Sequence, residues 1–275
     1  SLNIAKDFEY GRGLDADLAW IHRRTQDIDI YYVANLTDAA QSVRARFRVA
    51  GREAEIWHPD TGDVEPASYR IEENRTVVPL DLSPRESAFV VFRRAASSPS
   101  RTLPQRHSIT LATIDGPWDV AFQPNLGAPA TIQLANLESW TANEDAGVRY
   151  FSGTATYTKT MQAARNWFRP NARLILDLGA VNDIAEVSIN GRQLATVWKP
   201  PYQIDVTNSI EPGENRLEIR VTNQWTNRQI GDRLAPPDKK VLPAAALGFG
   251  PIGGGNQTPP PSGLLGPVTM NSVAN

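Results

Sequence analysis

Alternation of apolar and polar residues recurs in short windows along most of the chain. A period of two places every second side chain on the same face of a strand, so these windows predict β-strands with one buried face. Helical periodicity is confined to short turns near Leu14–Trp20 or Gln162–Trp167. We therefore predict an all-β protein. Its main strand windows are 28–35, 42–50, 54–59, 75–82, 87–94, 109–124, 150–161, 172–181, 184–191, 202–207 and 215–223.

Near the middle of the chain the strand pattern is interrupted by the segment RRAASSPSRTLPQR (93–106), which is rich in Ser, Ala and Pro. Such composition is typical of linkers between domains. We predict a small β-sandwich over residues 1–95, a linker over 96–107, and a second sandwich over 108–275. Both sandwiches are predicted to be antiparallel. The regular spacing of strands in the second favours an eight-stranded jelly roll.

The stretch VSINGRQLATVWKPPYQIDVT (187–207) combines a turn signal with two loop aromatics. Asn190-Gly191 between alternating apolar residues predicts a tight β-hairpin. Trp198 and Tyr202 flank the rigid Pro200-Pro201 step, and large aromatics held on a loop usually pack against something. Either another domain or a ligand could fill that role.

Composition narrows the classes of partner. The chain has 28 basic and 30 acidic residues and a net charge of −2, with no concentrated run of Lys and Arg. This argues against nucleic acid and against an anionic membrane surface as the main partner, and favours neutral substrates or protein surfaces. There are no cysteines, which excludes disulfides, thiolate zinc sites and a Cys nucleophile. No apolar run reaches the length of a membrane span. The start at Ser1-Leu2-Asn3, without an initiating Met or a signal peptide, suggests a mature product or a piece of a longer protein.

Candidate catalytic groups give little signal. Glycoside cleavage needs two carboxylates held across one bond, and the sequence predicts no (β/α) barrel that could hold such a pair. We therefore expect no catalytic residue in this chain. His22, His58 and His107 share no ligand spacing, and His22 is expected to pack or to form hydrogen bonds. No nucleophile elbow surrounds any serine. We predict no cofactor and no catalytic metal; a structural calcium is conceivable, but no D-x-D-x-D loop marks its site.

Aromatic and polar residues of the second half give the strongest binding hypothesis. Trp118, Trp140, Trp198 and Trp225 all lie beside turn or loop residues, and NQWTNRQIGD (223–232) is interpreted as one loop. Sugars stack on Trp and Tyr while amide, carboxylate and guanidinium groups take their hydroxyls. Alternatively, Trp225 closes the end of the sandwich and Arg228 forms an ion pair within the loop. The candidate residues for carbohydrate binding or a domain interface are Trp198, Tyr202, Trp225, Asn227, Arg228 and Asp232.

A long irregular segment follows residue 223 and continues to about residue 261, and it includes the glycine-rich run 248–255. An irregular segment of this length within a compact domain is usually functional or disordered.

Three stretches, GVRYFSGTATYTKTM, the run from LDLGAVND to NRQIGD, and PSGLLGPV, resemble the galactose-binding-like jelly roll of family 2 glycoside hydrolases. They look like the C-terminal region of bacterial α-L-rhamnosidases of glycoside hydrolase family 106. The stretch LAWIHRRTQDIDIYYVAN (18–35) through Phe92 is similar to the β-sandwich that follows the catalytic barrel in such enzymes. The resemblance extends over nearly the whole chain.

This resemblance implies a non-catalytic region of a glycoside hydrolase, because the family's catalytic carboxylates belong to a barrel upstream of the matched part. The implied partner is that catalytic barrel, with neutral carbohydrate as a further partner, and the implied location is periplasmic or secreted. In family 2 enzymes the loop before the motif matching Ser262-Gly263-Leu264-Leu265 helps to hold substrate. Here glycines and prolines replace the aromatic and charged residues expected in it. Two alternatives stay open: an autonomous carbohydrate-binding module, and a small jelly-roll lyase or esterase.

Overall fold

The computed structural model describes residues 5–11, 17–243 and 258–274. The chain divides into two compact units, Ser1–Gln105 and Arg106–Asn275. All named strand pairs are antiparallel, which confirms the predicted all-β class. None of the helices in the described ranges has the length and hydrophobicity of a membrane span.

The first unit is a sandwich of two five-stranded sheets, with strand orders β1-β4-β8-β7-β10 and β2-β3-β9-β5-β6. Along the central strands, buried residues alternate with partly or fully exposed ones. Each sheet therefore has one apolar face, and the two sheets pack on each other through these faces. Their inner faces share one core, in which Phe47 contacts the rings of Tyr31 and Phe92. The strands are β1 (Phe8–Tyr10), β2 (Leu18–Arg24), β3 (Asp29–Asn35), β4 (Gln41–Phe47), β5 (Glu55–Trp57), β6 (Val64–Pro66), β7 (Tyr69–Glu72), β8 (Arg75–Leu82), β9 (Ser87–Phe92) and β10 (Ser100–Arg101).

In the second unit a six-stranded sheet of order β13-β12-β14-β20-β17-β18 and a four-stranded sheet of order β11-β22-β15-β19 contribute to one core. A two-stranded sheet, β16-β21, completes the unit. The strands are β11 (His107–Thr113), β12 (Trp118–Phe122), β13 (Thr131–Leu134), β14 (Thr154–Ala163), β15 (Arg173–Asp177), β16 (Ala180–Asn182), β17 (Ile184–Ile189), β18 (Arg192–Val197), β19 (Gln203–Asp205), β20 (Gly213–Thr222), β21 (Gly263–Gly266) and β22 (Thr269–Ala274).

Helices are short. The α-helices are α1 (Ala146–Arg149) and α2 (Thr226–Leu234), and the 3-10 helices are Trp140–Ala142, Arg165–Trp167 and Pro237–Lys239. Arg165–Trp167 lies in the window for which a helical turn was predicted. In the other window, residues 18–20 belong to β2 and residues 14–16 lie outside the described part of the chain.

The strand count of the second unit is higher than the sequence predicts. Twelve strands are present in its described residues, where an eight-stranded jelly roll was expected. The additional strands are mostly short, and three residues are too few to show a period of two. The predicted linker also contains paired backbone, because Ser100–Arg101 pairs with β7 and β11 begins at His107. Composition indicates a linker but not whether its backbone finds a partner.

Candidate functional site

The predicted hairpin at Asn190-Gly191 is confirmed. β17 and β18 pair around it, and both residues have positive φ values, 52° for Asn190 and 79° for Gly191. Positive φ at both central positions is the property of a type I′ turn, whose twist matches that of the flanking strands. From this turn β18 runs antiparallel to β17, so Trp198, which follows β18, lies at the end of the sheet away from the turn.

One end of the six-stranded sheet gathers the loops that contain the predicted aromatics. Val197 of β18 pairs with Ala185 of β17, which in turn pairs with Val221 of β20. β18 and β20 therefore end where β17 begins. Trp198 follows the first of these strands, Asp183 precedes β17, and the loop at residues 223–225 follows β20. We call this end of the sheet the cleft end.

A cleft of about 250 Å³ opens at the cleft end. It lies between the start of α2 and the segment before β21. Its lining is mainly polar, with one carboxylate, three side-chain amides and two hydroxyls. The lining residues are Asp183, Asn223, Gln224, Thr226, Asn227, Pro260, Pro261 and Ser262.

Two tryptophans at the cleft end are exposed. Trp198 is 61% and Trp225 48% exposed, and Trp225 lies between two residues that line the cleft. Tyr202 is half-buried against the core of the second unit, and burial, together with the nearby negative charge of Asp183, raises its pKa. The three predicted aromatics thus share one region, but only the two tryptophans offer a large free surface.

The other two tryptophans of the predicted cluster belong to the core. Trp118 and Trp140 are fully buried, and Trp140 Nε1 donates a hydrogen bond to Tyr157 Oη at 2.6 Å. Burial raises the pKa of Tyr157 to about 12, and its oxygen also accepts a hydrogen bond from the Leu264 amide. Trp118 and Trp140 therefore offer no free surface to a ligand, because the turn residues beside them flank strands of the core.

Residues 223–232 do not form one loop, as the sequence analysis supposed, because helix α2 begins at Thr226. On this helix Arg228 and Asp232 face each other across one turn, with Nε and Oδ1 2.9 Å apart, and both are buried. Asp232 also accepts hydrogen bonds from the backbone amides of Val241 and Leu242, at 3.0 and 2.6 Å. This is the ion-pair alternative of the sequence analysis, and it leaves neither side chain accessible from the cleft.

Two glycines leave the space that the Arg228 guanidinium occupies. A Cβ atom at Gly127 would lie 2.8 Å from Arg228 Nη1, and one at Gly231 would lie 2.6 Å from Nη2. The backbone amide of Arg228 donates to Ser152 Oγ at 3.0 Å. Any larger residue at either glycine would have to displace a buried charge.

Asn227 forms part of the cleft wall. Its Nδ2 donates to the Pro260 carbonyl at 3.0 Å and to Ser262 Oγ at 3.1 Å, while its Oδ1 is buried without a hydrogen-bond partner. The Ser262 amide in turn donates to Ser139 Oγ at 3.0 Å. The segment before β21 is thus fixed to α2, so the cleft has a defined shape.

Sequence reasoning missed several cleft residues, notably Asp183, Gln224 and Ser262. Each lies at or near the end of a strand or helix, where the alternation that identifies strands has stopped. Asp183 lies between β16 and β17, and only the return of β21 beside β16 brings Ser262 near it. The predicted glycine-rich run 248–255 lies outside the described residues.

The first unit contains a second polar cluster, centred on His22. Its Nδ1 lies 2.7 Å from Asp7 Oδ2 and its Nε2 lies 3.0 Å from Asp29 Oδ1, which confirms that His22 forms hydrogen bonds. Burial disfavours ionisation of Asp7, yet hydrogen bonds from His22 and Arg48 hold the pKa of Asp7 below its usual value. The ring of His22 stacks on that of Tyr31 at 4.0 Å. Every partner is within the unit, as in a structural network.

Metal binding finds no support in the part of the chain that the structure describes, where no three His, Cys, Asp or Glu side chains group as ligands would. The hypothesis of a calcium held by backbone carbonyls stays untested.

Comparison with known proteins gives two family matches. Residues 1–71 match glycoside hydrolase family 106, α-L-rhamnosidase, and residues 136–244 match the galactose-binding domain-like family of glycosyl hydrolase 2. The solved rhamnosidase of Novosphingobium sp. PP1Y is 43% identical with a TM-score of 0.87, over 98% of this chain. Over nearly its whole length, this chain is similar to that rhamnosidase. The predicted resemblance and the galactose-binding-like second domain are thereby confirmed.

The rhamnosidase match covers only a part of that enzyme. This chain spans 25% of the Novosphingobium rhamnosidase, so other domains make up most of such an enzyme. A protein of Formosa agariphila provisionally named β-glucuronidase is 48% identical over 123 residues, which are 45% of this chain and 11% of that protein. A β-glucuronidase of Ruminococcus gnavus is 17% identical over 63% of this chain and 29% of its own, with a TM-score of 0.41.

Proposed function

We propose that this chain is a non-catalytic accessory region of a rhamnosidase-type glycoside hydrolase, packing on the catalytic barrel of the parent polypeptide. A periplasmic or secreted location belongs to the same proposal. The observation that carries it is the carboxylate content of the cleft, where Asp183 is the single acidic residue of the described lining. Glycoside hydrolysis requires two carboxyl groups about 5 to 10 Å apart on either side of one bond.

In the first unit, the two carboxylates around His22 do not fit that chemistry either. Asp7 and Asp29 both contact His22, and Asp7 also accepts hydrogen bonds from Arg48 and Tyr31. The hydrogen bonds that hold the pKa of Asp7 low keep it an acceptor and make it unsuited to act as a general acid, while Asp29 is bound to the same imidazole ring. The lyase or esterase alternative also lacks support at the cleft, since no histidine is among its described lining residues.

Incubation of the chain with an aryl α-L-rhamnoside tests the proposal. We expect no phenol release above blank, with the Novosphingobium rhamnosidase as the positive control. Turnover by the chain that disappears in Asp183→Asn would contradict a non-catalytic role.

Carbohydrate contact at the cleft is a second candidate function, which the position of Trp225 favours. Trp225 is exposed and is flanked in sequence by Gln224 and Thr226, which line a cleft with amide, hydroxyl and carboxylate groups. An aromatic face together with such groups is the set that binds sugar faces and sugar hydroxyls. The burial of Arg228 and Asp232 weakens this candidate relative to docking on the barrel, because their charged groups cannot reach a sugar.

Calorimetric titration with rhamnose and rhamnose-containing oligosaccharides tests this second candidate. Binding would be millimolar to micromolar, about −4 to −8 kcal/mol, and would be lost in Trp225→Ala. Trp20→Ala, at an exposed tryptophan of the first unit, is the matched control and should leave binding unchanged. Absence of binding to every sugar would leave docking on the barrel as the role of the cleft end.

A further inference from the structure

The outward face of the β2-β3-β9-β5-β6 sheet carries a continuous line of apolar residues. The strand register pairs Ile21 with Tyr32, Tyr32 with Phe89, Phe89 with Trp57, and Trp57 with Val64. Cross-strand partners lie on the same face of a sheet, so these five side chains form one line across all five strands. With about 4.8 Å between neighbouring strands, the line is about 19 Å long. We call it the apolar row.

The apolar row points away from the core of the first unit. Its residues alternate along the strands with Tyr31 and Val90, which belong to the core, so they occupy the opposite face. At the two ends of the row, Ile21 is 52% and Val64 50% exposed. The three central residues are half-buried.

The half-burial of the central residues arises at least partly within the face itself. The rings of Tyr32 and Phe89 lie 5.2 Å apart, and the Arg93 guanidinium lies 5.3 Å from the centre of the Trp57 ring. Antiparallel sheets with one solvated face normally carry polar residues there. An uninterrupted row of five large apolar side chains on such a face marks an interaction surface.

Arginines border the apolar row. In the next line of paired residues, Arg23 pairs with Ile30, and Glu55 pairs with the buried Val91. Burial disfavours ionisation of Glu55, but hydrogen bonds from Arg93 and Trp57 hold its pKa below the usual value. Arg93 lies 2.8 Å and Arg94 lies 3.5 Å from the Glu55 carboxylate. Three guanidinium groups thus accompany one carboxylate, and we call Arg23, Arg93 and Arg94 the arginine border.

The comparisons bear on what could cover this surface. The α-L-rhamnosidase match ends at residue 71 and includes four of the five residues of the apolar row. A rhamnosidase that this chain resembles over nearly its whole length has three further quarters of polypeptide outside the match. We infer that the apolar row docks on that remaining part of the parent enzyme, at an apolar surface with acidic residues facing the arginine border. This inference rests on the proposed accessory function.

The test replaces the two ends of the row with threonine, which keeps the β-branched shape and removes apolar surface. Ile21→Thr/Val64→Thr is made in the isolated chain and in the full-length parent enzyme. Leu36→Thr, at a 45% exposed residue of the same unit, is the matched control in both. Melting temperatures are measured for six proteins: the parent, the row variant and the Leu36→Thr control, each as the isolated chain and as the full-length enzyme.

We expect the row variant to lower the melting temperature of the full-length enzyme by about 3–5 °C more than that of the isolated chain. The control should shift neither. Equal shifts in both proteins, or no shift in the full-length enzyme, would overturn the inference. So would concentration-dependent association of the isolated chain that the row variant abolishes while the full-length enzyme is unaffected, because the occupant would then be a second copy.

The two proposals fail separately. Rhamnoside hydrolysis by the isolated chain would refute the accessory function whatever the melting temperatures show. An inactive chain whose row variant has no selective effect on the full-length enzyme would refute the docking surface alone.

Discussion

The two sheets of the first unit share one core, but their outward faces differ in chemistry: one is polar and the other is apolar. On the outward face of the β1-β4-β8-β7-β10 sheet, Ser42 donates a hydrogen bond to Asp81, and Glu72 lies within 3.3 Å of Arg46 and 3.9 Å of Arg44. On the outward face of the other sheet, the corresponding lines of paired residues contain the apolar row. The inner faces are alike, with alternating apolar side chains.

This difference separates two kinds of information in a strand. Alternation tells which side chains face the core, because the core must be apolar. The chemistry of the other face reports what covers that face, and water requires polar residues where a partner domain does not. The polar face is therefore expected to be solvated, and the apolar row to be covered in the parent enzyme.

The largest expected effect on stability comes from replacing a phenylalanine of the inner face with alanine. The same replacement on the outward face is the comparison. Phe47→Ala removes a ring that contacts Phe8, Tyr31 and Phe92, and should lower the free energy of unfolding of the first unit by about 3–5 kcal/mol. Phe89→Ala, on the apolar row, should cost about 1 kcal/mol in the isolated chain. Urea unfolding followed by two probes measures both. Equal costs would show that the outward face is as well packed as the core.

A second prediction extends the comparison to charged pairs. Breaking the buried Arg228–Asp232 pair by Asp232→Asn should destabilise the second unit by about 3 kcal/mol, because it leaves a guanidinium buried without its counter-charge. Asp205→Asn is the matched control, since Asp205 pairs with Arg173 at the exposed surface. If both variants unfold at the same urea concentration, the buried pair contributes no more to stability than the exposed pair.

A third prediction concerns the pH dependence of the apolar row's face. Hydrogen bonds from Arg93 and Trp57 hold the pKa of Glu55 below its usual value despite burial. A carboxyl group with a lower pKa in the folded state stabilises that state above its unfolded pKa, and this contribution is lost as the pH falls through the folded pKa. The melting temperature of the first unit should therefore decrease as the pH is lowered below about 5.

Glu55→Gln should make that decrease shallower, and Asp7→Asn should do the same, because the pKa of Asp7 is also held low. Glu72→Gln, on the polar face, is the control. A pH profile unchanged by both Glu55→Gln and Asp7→Asn would mean that other groups cause the acid sensitivity.

The smallest effect is expected on the polar face. Glu72→Gln removes an ion pair with Arg46 whose side chains are both partly exposed, and should cost less than about 1 kcal/mol, an effect that added salt abolishes. Urea unfolding at low and high salt measures it. A cost as large as that of Asp232→Asn would indicate that this face is shielded from water.

The cleft end shows how far the candidate site could be predicted. Trp198 and Trp225 were identified from loop residues and are exposed, as a binding or docking role requires. Arg228 and Asp232 were identified by the same reasoning and are buried in helix α2. A nine-residue helix with only two large apolar residues, Ile230 and Leu234, and no N-terminal side-chain cap gives little sequence signal, so its interior could not be distinguished from a loop.

The sequence by itself determined the strand class, the turn at Asn190-Gly191 and the resemblance to rhamnosidases, because these depend on local alternation, local backbone preferences and residue identity. Only the tertiary structure decided which outward face is apolar and which polar residues are accessible. Ile21 and Tyr32 come from consecutive strands, as do Trp57 and Val64, but only the pairing of both with the distant Phe89 brings the five into one row. Register depends on pairings between distant strands, which no short window of sequence contains.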